Sequence, residues 1–311
     1  MSAPQTMAPA GEGAPPQKEM PTTRKSAKGP EDKGRRSWFA RIVLIVACVL
    51  WSIPTIGLLV TSVRPRIDTQ QSGWWSALFN PFGSGWTLDN FDQVLQQNGM
   101  FDAFVNSFVV TVPATILPIM FAAFAAYAFT FMRFRGRDLL FIVVIGLMVV
   151  PIQSTFVTLL QLFGNDGLDI NGEFLALWLL HTTFGMPLCI YILRNYMSTL
   201  PKSVIESAEI DGASHFQTFW KLIVPMSVPA LAAYAIFQFL WVWNDLLIAL
   251  LFLGFNDPVL TVNLSQLNGR LGEGWQLLTA GAFVTMIVPM IVFFALQRFF
   301  IRGMTSGAVK G

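Results

Sequence analysis

Six stretches of this chain are long and apolar enough to cross a bilayer, and nothing else in it constrains the fold as strongly. A crossing helix takes about 20 mostly apolar residues. Such runs fall at roughly 39–63, 104–131, 139–161, 175–197, 229–253 and 275–301. In hydrocarbon every backbone N–H and C=O must find its partner within the protein, so these runs are expected as helices. The fold class is therefore all-α, a polytopic membrane protein. Charged residues make up only 12% of the chain, about half the usual share in soluble domains. The third run is interrupted by Pro151 and Gln153. A proline there frees a carbonyl that a neighbour must satisfy, so it either kinks the helix for packing or bends it along a solute path.

Lys and Arg set the orientation, because cytoplasmic loops collect them. They gather in the N-terminal tail, at Arg133, Arg135 and Arg137, at Arg194, Lys202 and Lys221, and at Arg298, Arg302 and Lys310. Only Arg64, Arg66 and Arg270 fall on the opposite side. The expected topology is N-in and C-in. Residues 1–37 are rich in Pro, Gly, Lys and Ser without an apolar period, and read as a disordered cytoplasmic tail. Residues 38–100 hold the first span and an outer segment, 101–301 the transmembrane core, and 302–311 a cytoplasmic C-terminal tail. Trp74, Trp75 and Trp86 in the outer segment suit the bilayer interface.

Little material for chemistry is present. Cys48 and Cys189 fall within apolar runs, and His181 and His215 are the only histidines. No metal site and no catalytic residue is expected. The nearest approach to a phosphate-binding loop, Gly29 to Gly34, is followed by Arg35-Arg36 and not by Lys-Ser/Thr. Nothing calls for a nucleic-acid partner.

About thirty residues between the fourth and fifth runs carry the functional signal. Pro201 suits a first helical turn, and Ser203 with Glu206 fits a capping box. Gly212 sits where that helix should stop in a left-handed conformation. Ser214 and Gln217 fit a second capping box. Phe216, Phe219, Trp220 and Ile223 then follow at one helical face, and Pro225 is expected to end the helix. The product is a helix–glycine–helix knob that shows the acids Glu206, Glu209 and Asp211. A helix lying on lipid would fit the aromatic face, but the acids suit a negative inner leaflet poorly. Docking to a partner protein is the competing reading.

The order Glu206-Ser207-Ala208, Asp211-Gly212-Ala213, then Phe219, Ile223 and Pro225 resembles the coupling loop of binding-protein-dependent ABC permeases. Ser207 departs from the usual alanine but is also small. Further resemblance to sugar permeases of the maltose type, with a MetI-like fold, runs over most of 101–311. It is carried by Asn106-Ser107, Ala125-Ala126-Tyr127-Ala128, Phe134-Arg135-Gly136-Arg137, Met148 to Gln153, Trp243-Asn244-Asp245 and the ending Arg302 to Gly311. The resemblance implies a multi-pass permease subunit of a prokaryotic inner or plasma membrane that imports a sugar, such as an oligosaccharide or α-glucoside. It would hold no cofactor itself; ATP and Mg would sit on two partner ATP-binding subunits. A second homologous permease subunit and an extracytoplasmic sugar-binding protein would complete the assembly. Glu206 would meet a basic residue of the ATPase, Ala208, Asp211, Gly212 and Ala213 would shape the knob, and Phe219, Ile223 and Pro225 would anchor it. Gly303, Ser306, Gly307 and Lys310 would reach the ATPase interface.

Asp245 is the one acid or base well inside an apolar run. Intramembrane charge is costly and defaults to a functional expectation. With Trp241, Trp243, Asn244 and, across the sequence, Gln153, it is expected along the translocation path. The alternative is a structural interhelical hydrogen bond. An ion-coupled secondary transporter is the competing function, which a single buried acid and no evident repeat argue against. A membrane enzyme would need a convergent acid–base set that the chain does not offer.

Overall fold

The computed structural model describes residues 30–267 and 274–306. Among the described residues there is no strand. Five helices are long and apolar enough to span a membrane: Trp38–Ser62 within the longer helix Pro30–Ser62, Met100–Phe131, Phe174–Met197, His215–Trp243, and Trp275–Gln297 within Trp275–Ser306. The pair Arg137–Leu147 and Ile152–Phe163 passes the same test only when taken together and is bent by 93°, the geometry of a broken span or a re-entrant loop; in chain order it is counted as the third span.

The first helix begins at Pro30 and so takes in the end of the polar tail. Proline has no N–H to lose in a first turn. The described residues up to Ile53 form one compact unit and those from Pro54 onward a second. In the first unit, Trp51 is 87% exposed, as suits a side chain whose neighbours are acyl chains.

Within the second unit the second and fourth spans pack along small residues. Ala114, Ala122, Ala126, Ala176 and Cys189 are fully buried, and small side chains let helix backbones approach closely. The helices also contain prolines, and these organise the packing. Pro113 leaves the carbonyl of Val109 without its helical donor, and Trp178 Nε1 of the fourth span donates to it at 2.9 Å. Pro118 does the same to Ala114, whose carbonyl accepts from Gln238 Nε2 of the fifth span at 3.1 Å. Pro289 in the last span frees the carbonyl of Thr285, which accepts from Trp243 Nε1 at 3.0 Å. Each of these three oxygens is met by a side chain from another span, as a medium without water requires.

The third span breaks where the sequence expects it. Met148, Val149 and Val150 close tight i→i−3 turns before Pro151, because the ring disfavours a helical residue ahead of it. Several boundaries differ from the sequence expectation, the helical start at Pro30 inside the tail expected to be disordered over 1–37 among them. Pro225 does not end the knob's second helix. Helix His215–Thr218 passes through a π-turn at Phe219–Ile223 into Val224–Trp243, with Pro225 in the first turn of that last piece. The wider π-turn comes just before the ring and lets the chain stay helical. The fifth span then stops at Trp243 instead of running to 253, and a separate short helix, Leu247–Phe252, follows.

Candidate functional site

The knob is built from two helices and a glycine. Lys202–Ile210 starts after an extended Pro201, with no side-chain cap, so Ser203 does not form the capping box its spacing allows. It ends in a Schellman motif. Gly212 has φ +76°, its N–H donates to the Glu209 carbonyl at 3.0 Å, and Ala213 N–H donates to the Ala208 carbonyl at 2.9 Å. A side chain at Gly212 would meet open space, so the backbone angle alone calls for glycine. The second helix opens with the expected capping box: Ser214 Oγ accepts from Gln217 N–H at 3.3 Å, and Gln217 Oε1 accepts from Ser214 N–H at 2.9 Å.

The apolar face predicted over Phe216–Ile223 divides in two. Phe219 and Ile223 are buried, whereas Phe216 and Trp220 are exposed. The π-turn shifts the phase of the side chains it contains, so the four no longer share one face. Phe219 stacks on Phe124 of the second span at 4.5 Å and meets Tyr127 edge-on at 5.5 Å. Tyr127 Oη lies 3.1 Å from His215 Nδ1. Burying one such phenyl ring contributes about 2 kcal/mol, so the slot fixes the second helix firmly. On the first helix Ile205 and Ala208 face inward. Glu206, Glu209, Asp211 and Pro225 are exposed and Ala213 is half-buried.

Of the expected C-terminal contacts, Gly303 and Ser306 lie in the last helix, which continues to Ser306 where a tail was expected from 302. Gly307 and Lys310 lie outside the described residues.

The cluster around Asp245 is separated by the fold. Asp245 sits just past the end of the fifth span, and its Oδ2 accepts from Ala249 N–H at 3.0 Å, capping the first turn of Leu247–Phe252. His181 Nε2 stands 3.9 Å from the same oxygen. The Asp245 carbonyl accepts from Thr261 Oγ1 at 2.5 Å. Trp243 is turned inward, 2% exposed, against Phe104, Phe108 and Phe239. Asn244 and Gln153 are exposed. Trp241 meets His181 edge-on at 5.5 Å and lines a cavity of about 410 Å³ at the break of the third span, with Met148, Thr155, Thr183 and Gln238. Of the five residues expected along a path, only Trp241 borders this cavity.

Sequence reasoning passed over Gln238 and read Tyr127 only as part of a resemblance motif. Gln238 is fully buried. Its Nε2 donates to the carbonyls of Ala114 and His181, and its Oε1 accepts from Tyr234 Oη at 2.8 Å. A polar amide alone in an apolar run was the available signal. Tyr127 and His215 are 88 residues apart, and no local pattern links them.

Residues 118–306 match the family model described as binding-protein-dependent transport system inner membrane component. The chain is 51% identical to the osmoprotective compounds uptake permease protein GgtD of Synechocystis sp., over 86% of this chain and 91% of that protein. It is 37% identical to the alpha-glucoside transport system permease protein AglG of Rhizobium meliloti, over 91% of this chain and 99% of that one. Its fold is similar to a chain of a bacterial ABC transporter involved in the import of the acidic polysaccharide alginate, with a TM-score of 0.69 and 20% identity over 88% of this chain and 99% of that chain.

Proposed function

This chain belongs to the inner membrane components of binding-protein-dependent transport systems, and from that membership we propose how it works: as the moving half of an importer whose ATP is hydrolysed elsewhere. It is a multi-pass permease of the cell membrane. Two ATP-binding subunits hold ATP and Mg, a second homologous permease chain completes the path, and an extracytoplasmic binding protein delivers the solute. The 201–225 knob lies in the cytoplasm and enters a cleft of one ATPase. Glu206 and Asp211, exposed on it, meet basic groups there.

One observation carries this reading. The knob's second helix and the fifth span are a single helical run from His215 to Trp243, so any displacement of the docked knob is a displacement of that span. ATP binding shifts the balance of inward- and outward-open states by its differential affinity for the two. The knob shares that difference with the membrane domain.

The solute is a sugar, such as an oligosaccharide or α-glucoside; the relative named for alpha-glucosides supports that class. The test is to tag the chain, extract it in mild detergent and identify by mass what co-purifies. An ATPase and a second permease chain are expected. The chain alone, with proton- or sodium-driven uptake, would replace this reading with a secondary transporter.

A further inference from the structure

The knob's end of the bundle holds a cavity whose cations have no part in the coupling role. About 910 Å³ in volume, it opens between the loop after the second span, the last turn of the fourth span and the start of Lys202–Ile210. Arg133, Arg137, Arg194 and Lys202 line it, from three separate parts of the chain. Among the described residues only Arg137 of these four has a carboxylate partner, its neighbour Asp138 at 3.1 Å, which is 75% exposed. Arg194 lies over the ring of Phe141 at 4.2 Å. That contact orients the guanidinium and leaves its charge uncompensated. Glu206 and Glu209 also border the cavity, but neither comes within ion-pair distance of the four cations. Phe129, Phe131, Leu200 and Ile205 supply an apolar wall.

The position matters as much as the charge. The second span ends at Phe131 and the fourth at Met197, so the cavity sits where hydrocarbon gives way to headgroups. Basic pockets between spans at this depth suit anionic headgroups. Guanidinium groups match phosphate oxygens with paired N–H donors. A free phosphate ion would satisfy the cations and leave the apolar wall uncovered, whereas a phospholipid covers it with glycerol and its first methylenes.

We propose that this cavity binds the phosphate of an acidic inner-leaflet phospholipid, a site that rests on the cytoplasmic placement of the knob argued above. The bound lipid would touch the base of Lys202–Ile210, so leaflet composition would set how freely the knob moves.

The test uses the intact complex, extracted in mild detergent and examined by native mass spectrometry with added phosphatidylglycerol, phosphatidylcholine or inorganic phosphate. Phosphatidylglycerol should be retained in preference to phosphatidylcholine. Arg133→Gln and Arg194→Gln should each weaken that preference by roughly fivefold, as expected for one cation near an anionic headgroup, and Arg194→Lys should keep most of it. Arg133 is exposed on a loop, so its variant carries the test even if Arg194→Gln assembles poorly. Equal retention of the two lipids, or a preference that both variants leave unchanged, overturns the site. Displacement of phosphatidylglycerol by an equal concentration of inorganic phosphate overturns the lipid as its source. Solute uptake by the same complex is scored separately. An importing complex with no lipid preference sinks this site alone, whereas a chain without ATPase partners sinks the transport reading.

Discussion

Trp243 Nε1 donates at 3.0 Å to the carbonyl of Thr285, the oxygen that Pro289 deprives of its helical donor. The tryptophan that sequence reasoning put beside the solute is thus a clamp between the fifth and last spans. Trp243→Phe keeps the ring stack on Phe239 and removes the donor. It should lower the stability of the extracted complex by about 1–3 kcal/mol, the cost of an orphaned buried acceptor. Pro289→Ala restores a backbone N–H at the same carbonyl, so the double variant should recover most of the loss. Thermal denaturation of the four species decides it; additive losses would refute the clamp.

Gly212 and Glu206 should separate backbone from charge. Gly212→Val forces a β-branched residue to φ +76°, at about 1–2 kcal/mol or more, and opens the angle between the knob's helices. Glu206→Lys changes an exposed side chain only. Both should reach the membrane at normal levels and abolish uptake, with Glu206→Lys also failing to retain the ATPase. Normal uptake by both would end the coupling assignment.

Tyr127→Phe removes one hydrogen bond to His215, worth about 1 kcal/mol, and keeps the ring against Phe219. Assembly should be unchanged while more ATP is spent per solute imported. Phe219→Ala empties the aromatic slot and should cost about 3–5 kcal/mol, enough to lose the complex. The readouts are transport stoichiometry in proteoliposomes for the first and complex yield for the second.

At Asp245 the two readings predict different series. If the side chain only caps Leu247–Phe252, asparagine, also a good cap, should behave as wild type, and Asp245→Leu should reduce yield. A lowered apparent affinity of Asp245→Asn at unchanged yield would instead put the side chain on the path, which its bond to the Ala249 N–H and its place outside the cavity at the third span argue against. An Asn variant with unchanged uptake would leave capping as its whole role.

The five unbroken apolar helices, the break at Pro151 and the Gly212 stop were all legible, because each rests on a local rule: an apolar run, a missing N–H, a positive φ. What the sequence hid depends on contacts across the fold. Pro225 read as a terminator because the rule for proline takes no account of a π-turn ahead of it. Trp243 read as a solute contact because an indole in a span has two uses, and only the position of Pro289 in another helix selects one. Gln238 was overlooked for the same reason: its partners, Ala114 and His181, lie 124 and 57 residues away. The acids of the knob were visible as a pattern, but which aromatic rings faced inward depended on helical phase.

The run from His215 to Trp243 holds 29 residues, and at 1.5 Å per residue it is a rod about 43 Å long, longer than the roughly 30 Å hydrocarbon layer it crosses. Tipped by about ten degrees at one end, a rod of that length sweeps its far end through roughly 7 Å. Such a beam needs no relay of side chains to carry news between the two faces of the membrane. In the proposed importer, the arrival of ATP on one side and the opening on the other would be one event, seen from opposite ends.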